Sequence, residues 1–177
     1  MKQGMALAKI DSFDTERLTL RLMTESEWDL FVYNVMAAHE FYITFATEKS
    51  EEVLALIEKP LYHKVIYYSI YLPDTDAMIG YVGFSTDSKR IEYCIFTEYR
   101  RRGYAYEVVS WFVDLICSGI ITGNPIRAIH AWTVLENEPS MRLLYKMGFR
   151  KSGFGIINDG TLVKNFSYEH YYMEEAA

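Results

Sequence analysis

The chain has 177 residues, of which 50% are hydrophobic and 24% charged, a composition typical of one globular domain with a buried core. Its formal net charge of −6 argues against a nucleic-acid partner, and two cysteines without CxxC spacing or a partnering histidine argue against a disulfide framework and a metal site. Because the sequence has neither a signal-peptide pattern nor an apolar run of membrane-spanning length, we expect a cytoplasmic protein without a membrane partner.

Alternation and helix-start patterns predict the elements of the first third of the chain. Residues 15–23 alternate leucines with polar side chains and predict a first strand. Residues 24–27 have the capping-box pattern, and the apolar spacing behind them predicts a helix that runs to about Ala38. Residues 50–52 predict the start of a second helix, which Pro60 stops.

Three strands at short spacing follow and predict an antiparallel meander. They cover residues 65–72, 78–84 and 89–96, and clusters of polar turn residues separate them. The glycines of the middle strand indicate that a neighbouring segment approaches it closely.

The second half of the chain alternates helices and strands. A helix is predicted over residues 103–117 and a buried strand over residues 126–133. Because a helix connects them, we expect strand 89–96 and strand 126–133 to lie parallel. A short helix at 139–147 follows, and then a terminal hairpin with strands 154–157 and 162–173.

The segment between strand 89–96 and the next helix has the composition of an anion site. Arg100, Arg101 and Arg102 precede Gly103, which lets the backbone approach a ligand without an intervening side chain. The first turn of the helix has N–H groups without intrahelical partners, and these favour a phosphate group. Taken alone, the pattern also fits a basic helix start on a solvated surface, so a second motif is needed.

Three segments together resemble one known family. Arg100-Arg101-Arg102-Gly103-Tyr104-Ala105 resembles the Gln/Arg-x-x-Gly-x-Gly/Ala signature of the GNAT N-acetyltransferase superfamily. The segment 137–149 resembles the Asn-x-x-Ser and Lys-x-Gly-Phe ending of these enzymes, especially of the RimJ/RimL-like ribosomal-protein alanine acetyltransferases, and residues 16–21 resemble the first strand of that branch. The resemblance covers essentially the whole chain. It implies an α/β fold: a single GNAT-like domain over residues 1–177, with a central mixed, mostly antiparallel sheet, one parallel splayed strand pair and about four flanking helices.

The resemblance also implies acetyl-CoA as the acetyl donor, with no metal ion. The pantetheine arm would pair with strand backbone at Cys94, Ile95 and Phe96, and an N–H of Ile95 or Phe96 would stabilise the oxyanion. The remaining implied donor-binding residues are Arg100, Arg101, Arg102, Gly103, Tyr104, Ala105 and Tyr106 at the pyrophosphate, and Asn137 and Ser140 near the thioester.

Three residues are candidates for the proton transfers. Ser140 matches a family serine that hydrogen-bonds and protonates the sulfur, and its alternative role is that of a helix-start hydroxyl. Glu92 is a candidate base, directly or through water, although close relatives often have glycine at this position. Tyr145 lies one step from the family's tyrosine position, which is Leu144 here, so a packing role competes with that of general acid. His130, inside a predicted strand, is interpreted as a core histidine.

The acceptor implied by the resemblance is a primary amine that attacks the thioester directly, and a protein N-terminal amine is the leading interpretation. A polyamine, amino acid or antibiotic is the alternative acceptor, and an acetyl-CoA-binding regulatory module without activity is the non-enzyme alternative. The acceptor site is expected between residues 38–47, with Phe41, Tyr42 and Phe45, and the terminal hairpin with Tyr168. The sequence does not decide the oligomeric state, for which a homodimer is one candidate.

Overall fold

In the part of the chain that the structure describes, short alternating strands form one mixed sheet, and two amphipathic helices pack on it. The computed structural model describes residues 10–24, 26–27, 65–156, 160 and 162–170. Its strands are β1 (Ser12–Asp14), β2 (Thr19–Leu22), β3 (Val65–Leu72), β4 (Ala77–Ser85), β5 (Arg90–Ile95), β6 (Ala128–Val134), β7 (Arg150–Ile156) and β8 (Leu162–Glu169). Its helices are α1 (Tyr104–Ser118) and α2 (Glu138–Lys146), and a short 3₁₀ helix covers Thr97–Tyr99.

The strands form one sheet in the order β1-β2-β3-β4-β5-β6-β8-β7. Every neighbouring pair is antiparallel except β5 and β6, which are parallel. Strands β3, β4 and β5 follow one another in space as in sequence, so the predicted meander is confirmed. The predicted α/β class, with one parallel pair in a mostly antiparallel sheet, is confirmed as well.

The glycines of β4 mark places where neighbouring groups come very close. A Cβ built on Gly80 would lie 2.1 Å from the carbonyl oxygen of Cys94 on β5. A Cβ built on Gly83 would lie 2.5 Å from the ring of Tyr67 on β3. Close-packed interiors have no room for such contacts, so the close approach expected at this strand is confirmed.

The parallel strands β5 and β6 separate toward their carboxyl ends. They pair at one position, Arg90 opposite His130, where the His130 N–H donates to the Lys89 carbonyl at 2.8 Å. Beyond this position the described residues of the two strands form no further pair. The splay that the family resemblance implied is therefore present, and it leaves an opening, which we call the cleft, between the carboxyl ends of β5 and β6.

Alternation along β5 divides the sheet into two faces. Ile91 and Ile95 are buried in a core that includes Phe112 of α1 and Leu144 of α2. We call the side of the sheet that packs on these two helices the helix face. Side chains that alternate with Ile91 and Ile95, such as Glu92, leave β5 on the opposite side, which we call the far face.

The bounds of helix α1 lie within one residue of the predicted ones, because the sequence has a glycine at each end of the helix and one stripe of apolar residues between them. Gly103 precedes it with φ of +84° and Gly119 follows it with φ of +81°, conformations that glycine adopts without the steric cost of a Cβ. Its buried residues are Val108, Val109, Phe112, Val113, Ile116 and Cys117.

Two predicted strand starts are wrong by four residues, and β8 ends at Glu169 and not at the predicted residue 173. The strand predicted over residues 15–23 begins only at Thr19, because residues 15–18 form a turn from β1, in which the Thr15 N–H donates to the Leu18 carbonyl at 2.8 Å. Strand β7 begins at Arg150, before the predicted residue 154. A register shift between Lys151 and Gly153 interrupts the alternation from which its start was predicted.

The helices predicted at residues 24–38 and 50–57 lie mostly outside the described residues. At the start of the first, the Glu27 Oε2 accepts hydrogen bonds from the Thr24 N–H at 2.5 Å and from the Thr24 hydroxyl at 2.7 Å, so the glutamate half of the predicted capping box is confirmed. In the described part of the chain, no helix is long and apolar enough to cross a membrane. No cluster of metal-ligating side chains occurs there either, and Cys94 and Cys117 do not form a disulfide.

Candidate active site

The cleft exposes backbone groups of β5. The Phe96 N–H donates to the Ile79 carbonyl of β4 at 2.8 Å, so this N–H faces β4. The Phe96 carbonyl accepts from the Tyr99 N–H at 2.9 Å. Successive residues of a strand direct their N–H and C=O groups to alternate sides, so Ile95 and Tyr93 direct theirs toward the cleft. An extended ligand can pair with these two residues in the manner of an added strand.

The same alternation corrects part of the predicted donor site. Cys94 has its backbone on the β4 side, like Phe96, and its carbonyl oxygen lies beside Gly80. Of the three residues expected to pair with a pantetheine arm, only Ile95 faces the cleft, and Tyr93 joins it. The oxyanion donor expected at Ile95 or Phe96 is limited to Ile95, because the Phe96 N–H is already used. Side-chain alternation in the sequence does not show which neighbour a strand's backbone faces.

The loop that follows β5 is shaped for an anion by its backbone. Arg101 and Gly103 have positive φ values of +63° and +84°, and such turns bring successive N–H groups toward a common point. Gly103 has no side chain to cap α1, so the N–H groups of residues 104–106 have no partner among the described residues. These donors and the positive end of the helix are suited to a phosphate group.

The three arginine side chains of this loop differ in their contacts. The Arg100 Nε donates to the Ile95 carbonyl at 2.8 Å, which leaves the Ile95 N–H for a ligand in the cleft. Arg102 donates from Nη2 to the Glu98 carbonyl at 3.2 Å and lies over the Tyr99 ring. Arg101 is exposed. Two of the three arginines therefore stabilise the loop itself, while all three raise the local positive potential.

Arg17 connects the β1–β2 turn to the start of α1. Its Nε donates to the Glu107 Oε2 at 2.7 Å, and its Nη1 donates to the Arg102 carbonyl at 3.0 Å. The Thr15 hydroxyl donates to the Glu107 Oε1 at 2.6 Å. Partial burial alone would raise the pKa of Glu107, but these hydrogen bonds and the guanidinium charge hold it below its ordinary value. No local sequence pattern predicts this contact, because the partners are distant in the chain.

Ser140 stands on the other side of the cleft, in the first turn of α2. Asn137 caps this helix, since its Oδ1 accepts from the Ser140 N–H at 3.1 Å. The Ser140 hydroxyl is hydrogen-bonded to the Tyr93 hydroxyl of β5 at 2.7 Å. Burial raises the pKa of Tyr93 to about 12, although the Ser140 hydrogen bond opposes this. Tyr93 is thus a cleft residue that its place in an apolar alternation did not reveal.

Glu92 lies on the far face and is held by two neighbours. Its Oε2 accepts from the Tyr67 hydroxyl at 3.1 Å, and its Oε1 accepts from the Arg90 Nη2 at 2.9 Å. Burial, together with the Glu92 carboxylate, raises the pKa of Tyr67 well above its usual range, so this phenol remains a donor. The predicted base is therefore an ordered carboxylate on the strand that borders the cleft.

Tyr145 of α2 packs against a core residue of the sheet. Its side chain is 50% exposed and contacts Phe166 of β8 edge-to-face, with ring centroids 5.3 Å apart. This contact agrees with the packing role that competed with that of general acid.

Two other expectations about site residues are wrong. Tyr168 packs on Phe149 with ring centroids 5.2 Å apart and pairs with Ile129, at the end of β6 away from the cleft, so it does not line an acceptor site there. His130 is exposed and is therefore not a core histidine. Its strand position predicted burial, but side chains on the far face of β6 point away from the helices. The candidates Phe41, Tyr42 and Phe45 lie outside the described residues.

A sheet that opens at one parallel strand pair, beside an uncapped helix start, is the donor-site architecture implied by the GNAT resemblance. Residues 17–150 match the family described as acetyltransferase (GNAT) domain, and the chain belongs to this family of acyltransferase enzymes.

Relatives with known sequence or structure agree with this assignment. The chain is 30% identical over 151 residues to a Bacillus subtilis (strain 168) protein described as the uncharacterized N-acetyltransferase YoaA, with 79% of this chain and 83% of that protein covered. The ribosomal-protein-S5-alanine acetyltransferase of Vibrio fischeri matches with a TM-score of 0.66 at 18% identity, with 89% of this chain and 96% of that chain covered. The dodecameric spermidine N-acetyltransferase of Vibrio cholerae matches with a TM-score of 0.64 at 20% identity, with 86% and 94% covered.

Proposed function

We propose that this acetyltransferase moves the acetyl group of acetyl-CoA to the N-terminal amine of a protein, by direct attack of the amine on the thioester. The observation that carries the proposal is the cleft between β5 and β6, which ends at the uncapped start of α1. It offers strand-like backbone donors and a phosphate site in one continuous surface.

The donor is bound in two parts in this proposal. The loop at residues 100–103 and the first turn of α1 hold the pyrophosphate. The pantetheine arm, an extended chain with amide groups, pairs with the backbone of Tyr93, and the Ile95 N–H is kept for the acetyl carbonyl. The thioester then lies between Ile95 on one side of the cleft and Ser140 on the other.

The reaction needs an oxyanion donor, a base and a partner for the leaving sulfur. The amine nitrogen forms a bond to the carbonyl carbon, the carbonyl electrons move to oxygen, and the Ile95 N–H stabilises that oxygen. The amine loses a proton to Glu92, directly or through water. When the C–S bond breaks, its electron pair leaves on sulfur. Ser140 donates a hydrogen bond to this thiolate, which takes up a proton from solvent and gives coenzyme A.

Ser140 is assigned as a hydrogen-bond donor because an aliphatic hydroxyl is a far weaker acid than a thiol, so it supplies no net proton to sulfur. Alignment of both reactants in one cleft contributes on the order of 7–11 kcal/mol to lowering the barrier.

The class of acceptor rests on resemblance. The 137–149 motif and the first-strand sequence resemble those of alanine acetyltransferases, and the match to the Vibrio fischeri enzyme supports a protein N-terminus. The match to a spermidine N-acetyltransferase supports a polyamine as the alternative acceptor. An acetyl-CoA-binding regulatory module is the non-enzyme alternative.

Thiol release in the presence of acetyl-CoA separates these three functions. The substrate panel contains peptides with N-terminal alanine or serine, matched peptides with a blocked N-terminus, spermidine, free amino acids and aminoglycosides. We expect turnover with the free peptides and none with the blocked ones. Activity confined to small amines would replace the protein acceptor, and tight binding of acetyl-CoA without any turnover would leave the regulatory module.

Donor binding is tested by a pair of glycine substitutions. Gly103→Ala introduces a side chain at φ of +84° beside the phosphate loop, and Gly148→Ala does the same at φ of +88° after α2. We expect calorimetry to show acetyl-CoA binding weakened about tenfold or more by the first, about 1.4 kcal/mol. Gly148→Ala has similar backbone strain and is expected to bind like the wild type. Equal affinity of the two variants would contradict the assignment of the loop.

A further inference from the structure

The Tyr93 hydroxyl is hydrogen-bonded to the Ser140 hydroxyl at the cleft, at a distance of 2.7 Å. We propose that Tyr93 is a positioning residue, which accepts no part of the acetyl group but orients the Ser140 hydroxyl so that its proton points at the thioester sulfur. This inference rests on the proposed function, because it assigns a residue that acts through Ser140 at the same site.

The geometry fixes Ser140 from two sides. Its backbone N–H donates to the Asn137 Oδ1 at 3.1 Å, which sets the position of the first turn of α2. Its hydroxyl oxygen lies 2.7 Å from the hydroxyl oxygen of Tyr93, which comes from β5 on the opposite side of the cleft. A serine hydroxyl otherwise rotates to suit its surroundings, so a second fixed partner is what gives it one orientation.

The direction of this hydrogen bond follows from acidity. Each hydroxyl has one proton to donate, and a phenol is a much stronger acid than an aliphatic alcohol, so Tyr93 donates and Ser140 accepts. Burial keeps the Tyr93 phenol protonated at neutral pH, as its raised pKa of about 12 indicates. The Ser140 proton is then directed away from Tyr93 and is available for another acceptor.

The leaving sulfur is that acceptor in the proposed reaction. As the C–S bond breaks, its electron pair collects on sulfur, and the oriented Ser140 O–H donates to this developing charge. No proton leaves Tyr93 or Ser140, since the amine's proton goes to Glu92 and the thiolate takes its own from solvent. Donors aligned in advance stabilise a developing charge without having to reorient during the reaction.

A double-mutant cycle tests this role in the full-length enzyme. Tyr93→Phe removes the phenolic hydroxyl and keeps the ring, and Ser140→Ala removes its partner. We expect each change to lower kcat about tenfold, with the KM for acetyl-CoA within about twofold of the wild type. Because the two hydroxyls act as one unit, Tyr93→Phe in the Ser140→Ala background is expected to have no further effect.

Tyr68→Phe is the matched control. Tyr68 lies on the helix face in register with Tyr93 through Val82, and its hydroxyl donates to the Ile10 carbonyl at 2.9 Å, away from the cleft. The Tyr68→Phe variant loses a hydrogen bond of a tyrosine hydroxyl, as Tyr93→Phe does, but this bond does not involve Ser140. We expect wild-type kcat for this variant, together with a similar small loss of thermal stability.

The outcomes separate this inference from the function on which it rests. Wild-type kcat in Tyr93→Phe, or additive losses in the double variant, would overturn the positioning role while the acetyltransferase activity stands. A raised KM for acetyl-CoA at unchanged kcat would assign Tyr93 to the structure of the cleft alone. If the wild-type protein binds acetyl-CoA but acetylates nothing in the panel, the proposed function fails and the role of Tyr93 fails with it.

Discussion

Glu92 and Tyr93 are neighbours in the chain, but their side chains leave β5 on opposite faces. Glu92 lies with Tyr67 and Arg90 on the far face, while Tyr93 reaches Ser140 on the helix face. In the proposed reaction, this separates the carboxylate that takes the amine's proton from the hydroxyls that contact the leaving sulfur. One dipeptide thereby serves both reactants, because a strand alternates its side chains.

Glu92→Gln is the most direct test of the base. The amide keeps the shape of the side chain and can still accept from Tyr67, but it cannot take a proton. We expect kcat to fall by about 10²-fold, with the KM for acetyl-CoA unchanged. Steady-state kinetics on the best amine substrate measures this, and Asp76→Asn in the β3–β4 turn serves as a carboxylate control. A kcat for Glu92→Gln within twofold of the control would exclude Glu92 as the base.

At the scale of residues, motifs gave Ser140 and Glu92 but did not give Tyr93. Ser140 stands in a motif with fixed spacing, and Glu92 interrupts an apolar strand. Tyr93 is itself one of the apolar alternating residues, and only the position of α2 shows that its hydroxyl has a partner. The same limit applies to the Ile95 backbone, whose free side depends on which strand lies next to it.

At the scale of elements, the start of α1 depends on a residue far away in the chain. Glu107 sits in the first helical turn, where an unpaired carboxylate would repel a pyrophosphate. Arg17 neutralises it with an N–O distance of 2.7 Å and also donates to the Arg102 carbonyl. The β1–β2 turn therefore stabilises the proposed donor site without supplying a residue that touches the cleft.

Arg17→Ala is expected to weaken acetyl-CoA binding about tenfold, equivalent to about 1.4 kcal/mol, because Glu107 is then uncompensated. Calorimetry measures the effect. Arg21→Ala is the control, since Arg21 follows on β2 and forms an exposed ion pair with Asp76 at 2.6 Å. Adding Glu107→Gln to Arg17→Ala removes the repulsion and is expected to recover part of the affinity. No recovery would show that charge is not the cause.

The same ion pair predicts how stability depends on pH. Because the folded-state pKa of Glu107 lies below its ordinary value of 4.5, its stabilising contribution is complete above that pH and is lost as the pH falls further. We expect Glu107→Gln to show a smaller acid-induced loss of unfolding free energy than the wild type, in urea titrations at pH 7 and pH 4. Glu98→Gln, on the exposed 3₁₀ helix, is expected to match the wild type. Identical losses in both variants would contradict this account.

At the scale of the whole molecule, local patterns predicted most of the fold. Turn residues and alternation gave the β3–β4–β5 meander, and the helical crossover gave the parallel direction of β5 and β6. The sheet order at the other edge, where β8 lies between β6 and β7, depends on long-range pairing that no local pattern contains. The starts of β2 and β7 differ from their predictions for a similar reason. A hydrogen-bonded turn before β2 and a register shift in β7 each interrupt the alternation of side chains.

Among the described residues, the pairing of Arg90 with His130 is the one connection between the two halves of the sheet, β1–β5 and β6–β8. In the proposed complex, acetyl-CoA forms backbone hydrogen bonds along the cleft side of β5, where β6 does not pair with it. The co-substrate then becomes part of the sheet. The amides of Tyr93 and Ile95 are then expected to exchange their hydrogens rapidly in the free protein and slowly with acetyl-CoA bound, while that of Phe96, already bonded to Ile79, changes little. Deuterium-exchange NMR with and without acetyl-CoA would show whether this part of the sheet is completed by the protein or by what it binds.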